Sequence, residues 1–144
     1  MSQIGAPSGD DLLPLAEAWK HALPDSEFAS PDAPTHSDFS RGYQWFSVVG
    51  VTEENRPRRI HAALAAFDDM LARVMAAQGM VRQPQKVVLV GFSQGATITL
   101  DAVASGSWPV AGVVAFSGRL ATPLPLKPAP QAPVLLLHGG QDDV

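Results

Sequence analysis

The sequence contains no cysteine among its 144 residues. Disulfide bonds, thiolate zinc sites, iron–sulfur clusters, cysteine nucleophiles and prenyl or palmitoyl anchors are therefore excluded within it, and covalent catalysis would need another nucleophile. Long hydrophobic runs are also lacking, since nowhere do about 18 consecutive apolar residues occur. The first residues have neither a basic start nor an apolar stretch of signal-peptide length. We therefore expect a soluble, cytoplasmic protein without a membrane span.

Positive charge is scarce as well. Ten Lys and Arg residues stand against 14 Asp and Glu, which gives a formal net charge of −4, and the longest basic run is Arg58-Arg59. A nucleic-acid-binding surface normally needs a basic patch or stripe, so we expect no nucleic-acid partner. With 46% hydrophobic and 17% charged residues, the composition indicates a folded chain, and its length suits one domain spanning residues 1–144.

Hydrophobic spacing predicts alternating helices and strands. Apolar residues at helical spacing, with suitable start and stop residues, predict helices over 10–23, 57–79 and 94–106. Short apolar runs without polar alternation predict strands over 86–92, 110–116 and 133–138 that are covered on both faces. Residues 27–30 are a weaker fourth candidate. This alternation predicts an α/β fold, a mostly parallel sheet with helices on both faces.

One strand and the following helix are joined by Gly91-Phe92-Ser93-Gln94-Gly95, a G-x-S-x-G sequence. A serine at so sharp a turn sits in a strained conformation, and the flanking glycines leave room where neighbouring backbone approaches closely. The Ser93 hydroxyl would then stand above the sheet as a nucleophile, and the backbone N–H of Gln94 could donate to an oxyanion. The alternative is a surface loop whose serine only caps the helix.

Asp142 follows the last predicted strand and suits the acid of a Ser-His-Asp triad. In hydrolases with this turn the histidine comes after the acid, and no histidine follows here. His138 is expected to be a structural imidazole, and a metal site made by His138 and Asp142 is disfavoured because no third ligand is evident. His21 and His61 fall on predicted helices. His36 lies in a loop, but it precedes the serine and is a poor candidate for the base.

The residues resemble the carboxylesterase, phospholipase and acyl-protein thioesterase-like branch of the α/β-hydrolases. Five motifs carry the resemblance in chain order: Phe28-Ala29-Ser30-Pro31-Asp32-Ala33-Pro34, Trp45-Phe46, Gly91-Phe92-Ser93-Gln94-Gly95-Ala96, Phe116-Ser117-Gly118 and His138-Gly139-Gly140-Gln141-Asp142.

The resemblance implies hydrolysis of carboxylic esters or thioesters by a serine triad without a cofactor or metal. Ser93 would be the nucleophile, Asp142 the triad acid and Gln94 an oxyanion donor through its backbone. Trp45 and Phe46 fall where the family has an aromatic pair near the acyl pocket, although core packing explains such a pair equally well. The expected partner is a small-molecule or acyl ester substrate.

Two departures from the family pattern affect these expectations. Members begin with strands that lead into a His-Gly-containing oxyanion loop, of which residues 1–9 keep only the later part. Members also continue some tens of residues past the acid and supply the catalytic histidine there. We therefore expect a chain truncated at both ends, nearly inactive by itself, with an unpaired slot beside the strand that precedes Ser93.

Two alternatives stay open. A catalytically inactive remnant could bind an acyl ligand or a protein partner, and strand addition at its open sheet edge could make it a homodimer. A flavodoxin-like or nucleotide-binding domain is disfavoured because no glycine-rich phosphate loop follows a strand.

Overall fold

The computed structural model describes residues 8–122, 125–128 and 132–141. Its α-helices are α1 (Leu13–Lys20), α2 (Arg56–Ala77) and α3 (Gln94–Ala104), and its strands are β1 (Thr35–His36), β2 (Tyr43–Gln44), β3 (Val88–Phe92), β4 (Gly112–Phe116) and β5 (Val134–Leu137). Short 3-10 helices span Gly9–Leu12 and Pro84–Lys86. All three predicted helices and all three of the stronger predicted strands are present. The prediction of a strand over 27–30 is wrong, because those residues have no regular secondary structure.

Side-chain contacts replace strand pairing in the segment around residue 30. The Ser30 hydroxyl donates to the carbonyl of Gly9 over 2.7 Å, and the Gly9 N–H donates to the Asp32 carboxylate over 2.6 Å. The Ser30 carbonyl also lies where a side chain on Gly9 would be. These contacts fix the segment against the turn that precedes α1 without a β-ladder.

The main sheet is parallel, with the strand order β3-β4-β5. Phe92 at the end of β3 pairs with Phe116 at the end of β4, which in turn pairs with Leu137 at the end of β5. Because the three strands end in register, the segments that follow them share one edge of the sheet. Ligands of open α/β sheets bind at this edge.

The hydrophobic core lies between the sheet and two layers of helix. Helix α3 packs on β3 and β4, and α2 packs on α3. The inward face of α2 is buried and consists of Ile60, Ala63, Phe67, Leu71 and Met75. It packs against two buried residues of α3, Ile98 and Ala102. Burial of each large apolar side chain contributes about 1.5–3 kcal/mol. This packing holds the start of α3 at the carboxyl edge of the sheet.

The prediction that all three strands are covered on both faces of the sheet is wrong for β3 and β5. In β3, Val88 and Val90 remain 54% and 37% exposed, whereas β4 is largely buried. All four residues of β5 are 37–55% exposed. The helices cover the side of β3 that carries Leu89, so the opposite side and the outer strand stay open in the part of the chain that the structure describes.

A buried carboxylate ties the segment after β4 to α3. Asp101 is only 2% exposed, and its carboxylate accepts hydrogen bonds from the Ala121 N–H, at 3.1 Å, and from the Thr122 hydroxyl. Burial raises the pKa of Asp101, and the two donors oppose that rise. Asp101 therefore holds residues 121–122, which lie in the connection between β4 and β5, against α3.

Replacing Asp101 by alanine should lower the free energy of unfolding by about 2 kcal/mol, because it leaves two donors without an acceptor. Since the raised pKa makes the ionised form the costly one, wild-type stability should fall as the pH rises from the ordinary aspartate pKa towards the raised one. The loss on substitution should therefore be largest at the acidic end of that window. Urea unfolding at several pH values measures it. Asp69→Ala, at an exposed position of α2, is the control and should change stability by less than about 0.5 kcal/mol.

Candidate active site

The turn between β3 and α3 is built around a strained serine. Ser93 has φ 49° and ψ −112°, values that ordinarily cost a residue other than glycine about 1–3 kcal/mol. Its N–H donates to the carbonyl of Phe116 over 2.9 Å, and its carbonyl accepts the first helical hydrogen bond from Thr97 over 3.0 Å. The ladder on one side and the helix on the other thus force the backbone to bend at Ser93, as the sequence predicts.

The side chain of Ser93 is exposed and does not cap the helix. Ser93 occupies the N-cap position of α3 but makes no side-chain capping hydrogen bond. A capping serine normally has extended backbone angles, which place its oxygen over the first helical turn. The left-handed angle at Ser93 is incompatible with that geometry, so the interpretation of this serine as a simple cap is wrong.

The two glycines of the motif have different roles. A side chain on Gly91 would place its first carbon 2.5 Å from the backbone of Gly95 and of Ala96, which is a severe overlap. On Gly95 the same carbon would only touch the indole nitrogen of Trp45, at 4.0 Å. The expectation that both glycines make room for close backbone therefore holds for Gly91 alone.

The loop after β4 supports the same turn from the other side. Ser117 has φ 53°, and its N–H donates to the carbonyl of Leu137 over 2.8 Å. The next residue, Gly118, lies directly against Ala96, and the Arg119 N–H donates to the Thr97 hydroxyl over 3.3 Å. The first turn of α3 is therefore enclosed by backbone on two sides.

The aromatic pair is fastened to the start of α3 by a side chain. Oε1 of Gln94 accepts a hydrogen bond from the Trp45 N–H over 3.0 Å, and Nε2 of Gln94 donates to the Phe46 carbonyl over 3.0 Å. The Trp45 ring packs edge-on against Phe67 of α2, with centroids 5.4 Å apart. Sequence reasoning assigned only the backbone of Gln94 a role and missed this contact, which no local sequence pattern reveals.

The aromatic pair forms part of a cleft of about 650 Å³. The residues around it are mostly apolar: Pro34, Thr35, Trp45, Phe46, Ser47, Val49, Arg59, Ala62, Ala63 and Ala66. Its lining is apolar with few polar groups, as in small-molecule sites, but the cleft is shallow and wide open to solvent. Two of its lining residues, Trp45 and Phe46, are those whose backbone groups bond to the Gln94 side chain.

Two charged residues hold the loop that continues from Phe46. The Asp38 carboxylate accepts hydrogen bonds from the Ser47 hydroxyl at 2.7 Å and the Val48 N–H at 3.2 Å, and these contacts, led by that of Ser47, lower the pKa of Asp38. Arg59 of α2 donates to the carbonyls of Ser47 and Val49 at 2.6 and 2.8 Å. Because the Asp38 pKa is lowered, its carboxylate should stay ionised through neutral and mildly acidic pH, and the loop contact is lost only in stronger acid.

The remaining candidate residues are dispersed. Asp142 lies outside the described residues. His138 follows β5 directly and is exposed, and His36 stacks on Tyr43 with ring centroids 5.0 Å apart. His21 ends α1, and His61 lies on the exposed surface of α2. The assignment of Asp142 as the triad acid therefore stays a prediction.

Neither a metal centre nor a membrane-spanning helix is found within the described ranges. There, no three or more His, Asp or Glu side chains come together as metal ligands could. None of the helices in those ranges combines the length and the apolar character that crossing a membrane requires.

Residues 5–144 match the family model described as Phospholipase/Carboxylesterase. The chain belongs to this family. It is 34% identical over 139 aligned positions to the esterase YpfH of Escherichia coli (strain K12), and the match covers 94% of the chain. The solved structure of esterase PE8 is similar to it with a TM-score of 0.81 and 33% identity, again over 94% of the chain. Membership of the phospholipase/carboxylesterase family confirms the resemblance that the sequence motifs indicate.

The expected α/β-hydrolase fold is also confirmed. The structure of Arabidopsis thaliana SOBER1 shows the same fold, with a TM-score of 0.70 and 23% identity over 94% of this chain and 70% of that one. The chain spans 59% of the length of YpfH and 64% of that of PE8. This phospholipase/carboxylesterase chain thus corresponds to part of its longer relatives.

Proposed function

We propose that this chain carries the nucleophile of a serine hydrolase that cleaves carboxylic esters or thioesters, and that Ser93 is that nucleophile. The observation that carries the proposal is the strained turn at Ser93, whose exposed hydroxyl is not used to cap α3. Backbone strain of this kind persists only where the surrounding structure imposes it, and it clusters at active sites. Membership of a family of esterases supports the same chemistry.

The proposed reaction proceeds through an acyl-enzyme. The Ser93 oxygen attacks the acyl carbonyl while an imidazole takes the hydroxyl proton, and the Gln94 N–H donates to the oxyanion that forms. The bond to the leaving group then breaks, and the imidazolium returns the proton to the departing alcohol or thiol. Water, deprotonated by the same imidazole, attacks the acyl-serine; the bond between the acyl carbon and the Ser93 oxygen then breaks, and the imidazolium returns the proton to that oxygen as the acid leaves. The role of Asp142 in this proposal is to orient the imidazole.

We place the imidazole outside these 144 residues. In hydrolases with this turn the histidine follows the acid, and none of the four histidines does so. The longer relatives have the additional length in which such a residue could lie. The proposed substrate is a small-molecule or acyl ester whose acyl group occupies the cleft beside Trp45 and Phe46. A cytoplasmic location and the absence of a nucleic-acid partner stay predictions.

The second candidate function is that of an inactive remnant that binds an acyl ligand or a protein partner. The exposed apolar residues of β5 and the open side of β3 favour it. In the described residues β3 and β5 are the outer strands of the main sheet, and an outer strand can take up a strand from another chain, which would also give the homodimer expected from the sequence.

Acylation of the chain distinguishes the two candidates. The chain is incubated with p-nitrophenyl acetate in imidazole buffer, because exogenous imidazole can take the place of the missing base, and is then digested and analysed by mass spectrometry. We expect an acetyl group on Ser93 and none on Ser117, which is the matched control because it also has a positive φ at a strand end. Equal acetylation of the two serines, or none on Ser93, would support the remnant.

A further inference from the structure

The side chain of Gln94 makes a contact that the proposed reaction does not use. Its carboxamide accepts from one backbone group and donates to the next, the Trp45 N–H and the Phe46 carbonyl, both over 3.0 Å. In a β-ladder such a pair of contacts goes to the N–H and carbonyl of one residue, whereas here it goes to two consecutive residues of a bend. A glutamine side chain thus pairs with the backbone of the aromatic segment.

The position of Gln94 connects this pairing to the turn at Ser93. Gln94 is the first residue of α3 and directly follows Ser93. The Gln94 side chain is therefore attached to the backbone of the turn that carries Ser93. The close packing of Gly91 against the backbone of Gly95 and Ala96 holds that turn in place. The wall of the cleft is therefore fastened to the turn and not merely to the body of the helix.

The other side chains that bind the loop after Trp45 do not contact the backbone groups of Trp45 and Phe46 that Gln94 binds. Asp38 and Arg59 bind backbone groups of residues 47–50. In the described segments, the hydrogen bonds to the Trp45 N–H and the Phe46 carbonyl from a side chain both come from Gln94. Its half-buried position protects both bonds from competition by water.

We infer that the Gln94 carboxamide is a positioning residue that sets the distance between the Trp45–Phe46 wall of the cleft and the oxygen of Ser93, and thereby fits the site to the acyl group. The inference rests on the proposed role of Ser93. One residue would then serve the site twice, with its backbone N–H at the oxyanion and its side chain at the acyl wall. A substitution that keeps the backbone separates the two roles.

Hydrogen exchange of the Trp45 amide tests the contact without any catalysis. Gln94→Met keeps the length of the side chain but removes both hydrogen bonds, and we expect Trp45 exchange to rise about fivefold to tenfold. Amides in the middle of α2 should be unchanged. Gln85→Met, at an exposed glutamine, is the matched control and should leave Trp45 exchange as in the wild type. Unchanged exchange in Gln94→Met would overturn the inference.

Gln94→Glu adds a conservative variant with a pH signature. A carboxylate can still accept from the Trp45 N–H, but it places a negative oxygen against the Phe46 carbonyl. Protonation near pH 4, close to an ordinary glutamate pKa, restores a donor. We expect protection of the Trp45 amide, corrected for intrinsic exchange, to be reduced at pH 7 and regained near pH 4. A variant that shows no regain would contradict the donor role of the carboxamide.

The catalytic consequence is measured with two substrates. In imidazole buffer, Gln94→Met should raise the p-nitrophenyl butyrate concentration that half-saturates Ser93 acylation by about fivefold or more, since the longer acyl group depends on the wall. The effect on p-nitrophenyl acetate should be smaller, because its shorter acyl group reaches less of the wall. Equal effects on both esters would contradict a role in fitting the acyl group. If Ser93 is not acylated even in the wild type, the proposed function fails while the exchange result still decides the contact.

Discussion

Alanine in place of Ser93 should reduce p-nitrophenyl ester hydrolysis to the rate of imidazole buffer alone. Removing the nucleophile of an intact triad costs roughly a millionfold in rate. Because we place the base outside these 144 residues, we expect the wild-type chain to be slow and the serine-dependent part of the rate to grow with imidazole concentration. In Ser93→Ala no such part should remain. The measurement is p-nitrophenol release at several imidazole concentrations, with each variant compared to buffer.

The matched control for this prediction is Ser117→Ala, which removes a hydroxyl from the other strand-end serine with a positive φ. It should keep the imidazole-dependent rate. Both variants should keep the far-ultraviolet circular dichroism of the wild type, because neither hydroxyl is needed for a helix cap or for core packing. Serine-dependent turnover in the absence of imidazole would contradict our placement of the base outside these residues. Retained turnover in Ser93→Ala would remove Ser93 as the nucleophile.

Alanine in place of Gly91 should destabilise the chain by about 3 kcal/mol or more, because overpacking against atoms that cannot move is costly. The added carbon would lie 2.5 Å from backbone atoms of Gly95 and Ala96, not from a flexible side-chain end. Either β3 or the first turn of α3 must shift to relieve the overlap. Such a loss is a large fraction of the roughly 5–15 kcal/mol that stabilises an ordinary domain. Urea unfolding, or a failure to fold at all, would report it.

Gly95→Ala provides the contrast within the same motif. Its added carbon meets only the Trp45 indole at an ordinary 4.0 Å, and it lies in the first turn of α3, where alanine is favoured over glycine by at most about 1 kcal/mol. We expect stability equal to or above that of the wild type. If both glycine variants lose stability equally, close backbone approach at Gly91 is not what sets the requirement for glycine there.

Much of the fold follows from the sequence because its signals are local. The apolar face of α2 repeats at helical spacing from Ile60 to Met75, and the runs that form β3, β4 and β5 are short and unbroken. The strained turn at Ser93 can be predicted equally well, because the flanking glycines and the change from strand to helix lie within five residues. In each case the deciding interaction joins residues that are near each other along the chain.

What the sequence could not reveal depends on distant contacts. Residues 27–30 look like a strand, but Ser30 bonds to Gly9, 21 positions away. The difference between Gly91 and Gly95 arises only when the helix folds back on the strand. The pairing of Gln94 with Trp45 spans 49 positions and depends on the path of a loop with little regular structure. Contacts of this kind produce no hydrophobic periodicity or local motif in either of the two segments that they join.

The enclosure of the first turn of α3 also bears on how an anion would be received there. The backbone at Ala96 is held from one side by Gly91 and from the other by Gly118, so the fold itself orients the peptide dipoles of this turn. Negative charge that develops beside the Gln94 N–H would meet dipoles that need no reorganisation energy to align. The entropic cost of that alignment is met once, during folding, and not again with each ligand.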